Sequence, residues 1–276
     1  MLFLQPRVSN GQSAEKESES TLKVMTFNIR YGTADDGIDK WDNRKELLYE
    51  TIKEQAPDLL GMQEALRFQI TAIREALPGY GEIGVGRDDG KEAGEYSVIL
   101  YSTKRFTVDT SGTFWFSDTP NIPGSTSWGN DITRICTWAK LHDKITNKTF
   151  YMFNMHLDHI SQNSREKSAE LLIKRIKALD NKFPIVITGD LNSGEDNPAV
   201  ITIKDAGYRD TFRDIVKTKE NTGTFHGFKG TTDGDKIDYI FVSDDFKTLN
   251  AEIIHKNNNG RYPSDHFPVT AKIEYK

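Results

Sequence analysis

Five short segments carry Asn, Asp, Glu or His at the end of an apolar run. They are Asn28 in Thr-Phe-Asn-Ile-Arg, Glu64 in Gly-Met-Gln-Glu-Ala, His156 and Asp158 in Asn-Met-His-Leu-Asp-His, Asp190 and Asn192 in Thr-Gly-Asp-Leu-Asn-Ser, and Asp265 and His266 in Pro-Ser-Asp-His-Phe-Pro. These are the side chains that hydrolysis of a phosphoester needs: a carboxylate to deprotonate water, hard oxygen ligands for a divalent cation, and amide or imidazole donors for the non-bridging oxygens. Each has a plainer reading alone. Asn28 and Asn192 suit turns, Asp190 a cap, His156 a packed histidine, and Glu64 the opening of a helix. Their joint occurrence at strand ends, where a rigid sheet aims groups at one rim, favours a shared site. In such a site Asp190 suits the base, and Asn192, two residues along, faces the same side as a phosphate donor. Glu64 offers the carboxylate that Mg²⁺ or Mn²⁺ prefers, with Asn28 and Asp265 as further oxygen donors, so one or two such ions are expected.

The elements that must position these residues alternate. Residues 22–28 and 59–63 read as strands, each followed by a helical pattern, 41–54 and 68–77, the second closed by Pro78-Gly79. The middle, with 96–101, 107–115, 134–141 and 149–154, is rich in aromatic and β-branched residues and reads as antiparallel hairpins. Residues 164–179 place Leu171, Leu172, Ile176 and Leu179 on one helical face, 183–188 form a doubly buried strand, and 237–243 and 269–275 supply late strands. Mixed strands with interleaved helices imply an α/β protein with sheets packed face to face and helices outside.

The chain has 276 residues, a formal charge of −5 and 36% apolar residues, enough for a substantial core and too aromatic for disorder. Without repeats or a Pro/Gly-rich linker after residue 20, a single domain over 21–276 is the simpler reading, and a monomer is expected. Residues 1–20 read as a disordered tail or as the remnant of a longer export signal, which leaves cytoplasmic and exported locations both open. No run approaches the ~18 to 20 apolar residues of a membrane span. The single Cys136 excludes an intrachain disulfide and a multi-cysteine zinc module, so any metal must use oxygen or His.

Thr26-Phe27-Asn28, Gln63-Glu64, His156, Gly189-Asp190-Leu191-Asn192, Ile237-Asp238-Tyr239-Ile240 and Ser264-Asp265-His266 together resemble the endonuclease/exonuclease/phosphatase superfamily. The resemblance spans roughly residues 22–275. It implies a four-layer α-β-β-α sandwich of two mixed β-sheets flanked by helices, and an active site at one rim of the sheets. It also assigns Asp238 as the carboxylate that orients His266, which would raise the His266 pKa and favour an imidazolium able to donate to phosphate. His156 would be a second phosphate donor. Arg134 resembles the family's phosphate-contacting arginine, against the plain alternative of an exposed Arg opening a strand. Tyr96 is a candidate substrate contact or a core-edge tyrosine.

Arg30 stands where the apurinic-site nucleases of this family carry an acidic residue, which argues against that activity. Trp41-Asp42-Asn43-Arg44, the 156–159 run with Arg165, and Thr224-Phe225-His226-Gly227-Phe228 look like the bacterial branch allied to deadenylase-like members, with His159 and His226 as candidate pocket residues. A pI of about 5.8 disfavours extended duplex binding, and Lys167, Lys174, Arg175, Lys177 and Lys182 read as a solvated helix face. Trp115, Phe116 and Trp128 are either stacking groups or a satellite core. The leading expectation is a Mg²⁺- or Mn²⁺-dependent phosphoesterase acting by in-line attack of water on nucleic acid or on a phosphorylated sugar, inositol or lipid headgroup. The other is a catalytically weak binding or scaffold protein that retains the fold. Retention of Glu64, Asp190, Asn192, Asp265 and His266 together favours the enzyme.

Overall fold

The computed structural model describes residues 20–179 and 183–276. The expected tail or export-signal remnant over residues 1–19, and Lys182, lie outside the described residues. In chain order the strands are β1 Leu22–Asn28, β2 Leu59–Ala65, β3 Tyr80–Ile83, β4 Tyr96–Ser102, β5 Phe106–Trp115 and β6 Ile135–Asp143. They continue with β7 Lys148–His156, β8 Ile185–Asp190, β9 Arg209–Asp210, β10 Asp238–Val242, β11 Phe246–Ile253 and β12 Val269–Tyr275. The helices are α1 Trp41–Gln55, α2 Arg67–Ala76, α3 Gln162–Lys177, α4 Pro198–Asp205 and α5 Thr211–Ile215.

Alternation along β1 explains the layering. Leu22 and Val24 face the second sheet in one apolar cluster, whereas Met25 and Phe27 face Leu48, Ile52, Ile70 and Ile73 of α1 and α2 in another. A third cluster packs Leu172 and Ile176 of α3 and Val200 of α4 against Phe153, Ile187 and Phe241. The result is the expected four-layer sandwich. One six-stranded sheet runs β11-β12-β1-β2-β4-β3 and the other β5-β6-β7-β8-β10-β9. Each is mixed: β1 pairs parallel to β2 and β7 parallel to β8, and the other pairs are antiparallel.

The inward face of the central strands turns from apolar to polar toward one rim. Val24 gives way to Thr26 and Asn28, Met152 to Asn154 and His156, Val186 to Thr188 and Asp190, and Ile240 to Asp238. A layer of buried amides lies just below the rim. Gln63 Nε2 donates to Thr26 Oγ1 (3.1 Å) and Asn154 Oδ1 (2.6 Å), Thr188 Oγ1 donates to Asn154 Oδ1 (3.0 Å), and Asn154 Nδ2 donates to the Met62 and Val98 carbonyls (2.9 Å each). The bonds from Gln63 to Asn154 and from Asn154 to Met62 and Val98 cross between the sheets, and together the five satisfy groups whose burial would otherwise cost about 1–3 kcal/mol each. Gly61 makes the approach possible, because a Cβ there would stand 2.3 Å from Thr188 Oγ1.

Candidate active site

The rim residues converge. Register sets Asn28 beside Gln63, and His156 and Asp238 on either side of Asp190. A cavity of about 470 Å³ opens above them, lined by Glu64, Arg134, His156, His159, Asp190, Asn192, Asp265 and His266. Glu64 reaches it through a local distortion: the β2–β4 register shifts between Met62 and Ala65, and Glu64 adopts a left-handed φ of 60°. Such a backbone costs about 1–3 kcal/mol and is characteristic of sites that must aim a side chain. Asn192, at φ 47°, adopts a conformation that Asn tolerates more readily.

Asp190 is almost fully buried and ringed by donors. Its Oδ1 accepts from the Asn192 backbone N–H (2.9 Å) and its Oδ2 from Asn28 Nδ2 (2.9 Å), with His156 Nε2 at 3.5 Å and His266 Nε2 at 3.8 Å from Oδ2. Burial and then the Asp238 charge push its pKa up to about 7, against the pull of His266 and these hydrogen bonds. His266 Nδ1 lies 2.9 Å from Asp238 Oδ2. Burial alone would lower the His266 pKa, but Asp238 and Asp190 outweigh it and raise the group to about 10.

Arg134, just before β6, spans two imidazoles, with Nη1 3.1 Å from His156 Nδ1 and Nη2 2.9 Å from His159 Nδ1. A guanidinium only donates, so both Nδ1 atoms accept and neutral His156 carries its proton on Nε2, toward Asp190 Oδ2 at 3.5 Å; the Asn192 amide nitrogen, 3.0 Å from the same Nε2, donates to the Leu157 carbonyl (3.1 Å). Burial, then the positive charges of Arg134 and Arg87, hold His156 well below the ordinary histidine pKa. Asp158 anchors this group, with Oδ2 3.5 Å from Arg134 Nε and Oδ1 accepting from the Ile160 and Ser161 N–H groups.

Side-chain geometry bears on three of the expected site residues. Asn28 directs its nitrogen at both Glu64 Oε1 (3.0 Å) and Asp190 Oδ2, while its oxygen accepts from the Arg30 N–H (3.0 Å). It therefore bridges the two carboxylates in this arrangement. Tyr96 is outside the cavity because β4 turns it toward α2: its ring lies beneath Arg67 and its hydroxyl donates to the Lys91 carbonyl. His226 is also outside, stacked on Phe267 at 3.9 Å, with Nδ1 accepting from the Gly230 N–H, and burial lowers its pKa to about 4.

The cavity also has walls that the sequence reading passed over. Phe225 is half exposed and edge-on to His266, with ring centroids 5.1 Å apart. It sits in the 224–228 segment already singled out, one residue from the histidine chosen there. Arg87 and Glu95 face the cavity from the β3–β4 loop. Their available signal was a long charged, Gly-containing run, residues 84–95, directly before a strand. Trp115, Phe116 and Trp128 do not line the cavity; Phe116 is core, Trp115 donates to the Arg87 carbonyl (2.6 Å), and Trp128 donates to Asp118 (2.8 Å).

The donor chemistry fits a hard divalent cation. Glu64 and Asp265 share the cavity, and burial, with Glu64 also opposing ionisation, raises the Asp265 pKa. Arg30 relieves this only partly: Nε is 3.8 Å from Asp265, whereas its strong contact is with Asp36 at 2.8 Å. Asp190, Asp238 and His266 bring ligand-type atoms within 4.8 Å of one another, a grouping compatible with a metal site. In the arrangement present, however, His266 is engaged with Asp238 through Nδ1.

Known proteins share this framework. A structure from Bacteroides vulgatus, described as an endonuclease/exonuclease/phosphatase, is 37% identical with a TM-score of 0.87, covering 94% of this chain and 100% of that one. A mannosyl-6-phosphatase from Bacteroides thetaiotaomicron is 33% identical with a TM-score of 0.85, covering 92% of this chain and all of that one. An uncharacterized protein of Acanthamoeba polyphaga mimivirus is 30% identical over 236 residues, 80% of this chain and 87% of its own length. Residues 25–266 match the family model, and the chain belongs to the endonuclease/exonuclease/phosphatase family.

Proposed function

We propose that the chain is a divalent-metal-dependent phosphoesterase that hydrolyses a small phosphorylated molecule, a sugar phosphate being the favoured class. The observation that carries this reading is Asp190, held among Asn28, His156, Asn192 and His266 at the floor of a cavity that also contains Glu64 and Asp265. Its pKa of about 7 suits a general base near neutral pH. Asp190 takes a proton from a water in line with the scissile P–O bond. His266, kept as an imidazolium by Asp238, and the Asn192 amide donate to the phosphoryl oxygens, as does His156 through Nε2–H. Arg134 holds His156 and His159 in place. Glu64 and Asp265 would hold Mg²⁺ or Mn²⁺, which neutralises charge on the phosphoryl group and eases departure of the alcohol.

The size of the cavity and the 33% identity to a mannosyl-6-phosphatase support a small monoester over a polymer. The test is a metal-supplemented screen of mannose 6-phosphate, inositol phosphates, a chromogenic phosphodiester, single-stranded DNA and poly(A), with Asp190→Asn as blank. Release of inorganic phosphate from the sugar ester is expected. Shortening of poly(A) or DNA with the sugar ester left intact would replace this reading by a nuclease.

A further inference from the structure

The wall of the cavity formed by the loop between β3 and β4 is a built structure. The loop between β3 and β4 folds back on itself: the Arg87 N–H donates to the Glu95 carbonyl (3.0 Å), the Asp88 N–H to the Ala93 carbonyl (3.1 Å) and the Gly86 N–H to the Lys91 carbonyl (2.9 Å). Asp89 Oδ1 accepts from the Lys91 and Ala93 N–H groups, and Trp115 Nε1 fastens the loop through the Arg87 carbonyl. This sets Arg87 Nη1 2.6 Å from Glu95 Oε2, with both side chains mostly buried and both lining the cavity. Arg87 and Arg134 both line the cavity, with their Nε atoms buried beside carboxylates, 3.8 Å from Asp88 Oδ1 and 3.5 Å from Asp158 Oδ2.

A carboxylate here has no place in phosphoryl transfer as derived above, and it would repel a second anionic group on the substrate. Beside the Arg87 guanidinium, which also lines the cavity, it instead forms a mixed acceptor and donor surface, the pattern that matches hydroxyl groups. We propose that Glu95, oriented by Arg87, is a specificity-determining residue that accepts hydrogen bonds from hydroxyls on the non-phosphate part of the substrate. It thereby selects neutral polyhydroxy monophosphates over esters carrying a second phosphate. This rests on the phosphoesterase reading and adds the residue that reads the alcohol. Burial, which raises the Glu95 pKa against the pull of Arg87, adds to the advantage of gaining a hydroxyl donor.

The test compares mannose 6-phosphate with fructose 1,6-bisphosphate in wild type and Glu95→Gln, with Mn²⁺ present. Wild type should prefer the monophosphate, and Glu95→Gln should shrink that preference at least tenfold, mainly through KM, because Gln retains size but lacks the charge. Calorimetric binding of both esters to Asp190→Asn, with and without Glu95→Gln, gives a readout independent of turnover and should show the same tenfold change. An unchanged preference in both measurements overturns the role of Glu95. Glu95-dependent binding without turnover by wild type would instead overturn the hydrolase reading and leave the recognition surface standing.

Discussion

Asp190 concentrates the chemistry into one carboxyl, and its surroundings make its replacement informative. Asp190→Asn keeps the shape and removes the proton acceptor, so turnover should fall by at least about 10³-fold. Tm should stay close to that of wild type, because relief from burying a carboxylate whose ionisation burial disfavours offsets the loss of one of its two accepted hydrogen bonds. Wild-type turnover in this variant would exclude Asp190 as the base. With Asp190 ionising near pH 7, kcat/KM should climb with pH and level off above it, and a cation at Glu64 and Asp265 should draw the midpoint lower. His266 offers a second reading of the same cluster. Asp238→Asn removes the largest influence that raises the imidazole, so its pKa should fall from about 10 toward the ordinary histidine range, measurable by NMR titration. Since the folded pKa lies above the unfolded one, the lost stabilisation is complete below about pH 6.5 and fades as pH rises through about 10. An imidazole that still titrates near 10 would mean that Asp238 does not hold it.

At the level of elements, the inter-sheet amide layer and the loop after β1 carry the site, and they differ in how far they could be read from sequence. The strand ends were legible because apolar runs stop at polar residues; β1 and β12 fall on residues 22–28 and 269–275 as expected. β3, β11 and α4 escaped: β3 is four residues long with a glycine, β11 is an edge strand with largely exposed polar positions, and the Asn197-Pro198 start of α4 was an available signal. Candidate residues were legible by chemical type, but their facing was not. Tyr96 and Glu95 are neighbours on opposite sides of β4's start, and sequence alone gave no ground for preferring the carboxylate. Arg44, read only as part of a resembling segment, is a buried clamp: it donates to the carbonyls of Ile29 (2.7 Å), Arg30 (2.8 Å), Asp39 (3.0 Å) and Pro263 (3.0 Å), tying the loop after β1 to the Asp265-His266 loop. Arg44→Met should strand several buried acceptors and cost about 3 kcal/mol or more in urea unfolding. A loss below about 1 kcal/mol would show that water replaces the guanidinium.

For the molecule as a whole, the site exists only where the two sheets meet. One sheet brings Asn28 and Glu64, the other His156, Asp190 and Asp238, and the loop entering β12 closes the rim with Asp265 and His266. No unfolded chain holds these groups together, so a cation that binds the assembled rim stabilises the entire fold by mass action, about 2.7 kcal/mol at a hundredfold excess over Kd. At roughly 2–4 °C per kcal/mol for a domain of this size class, saturating Mg²⁺ or Mn²⁺ should raise Tm by about 5–10 °C, with reversal by chelation. Glu64 is the residue to remove, because Asp265 is partly balanced by Arg30 whereas Glu64 is engaged by the neutral Asn28 amide and the Tyr31 N–H. Glu64→Gln takes away a cation ligand, and relief of its repulsion of Asp265 offsets the loss of one of the two hydrogen bonds it accepts, so metal-free Tm should stay near that of wild type while the metal-induced increase disappears. An increase of equal size in Glu64→Gln would place the cation elsewhere, with the Asp190–Asp238–His266 cluster the next position to test by Asp238→Asn.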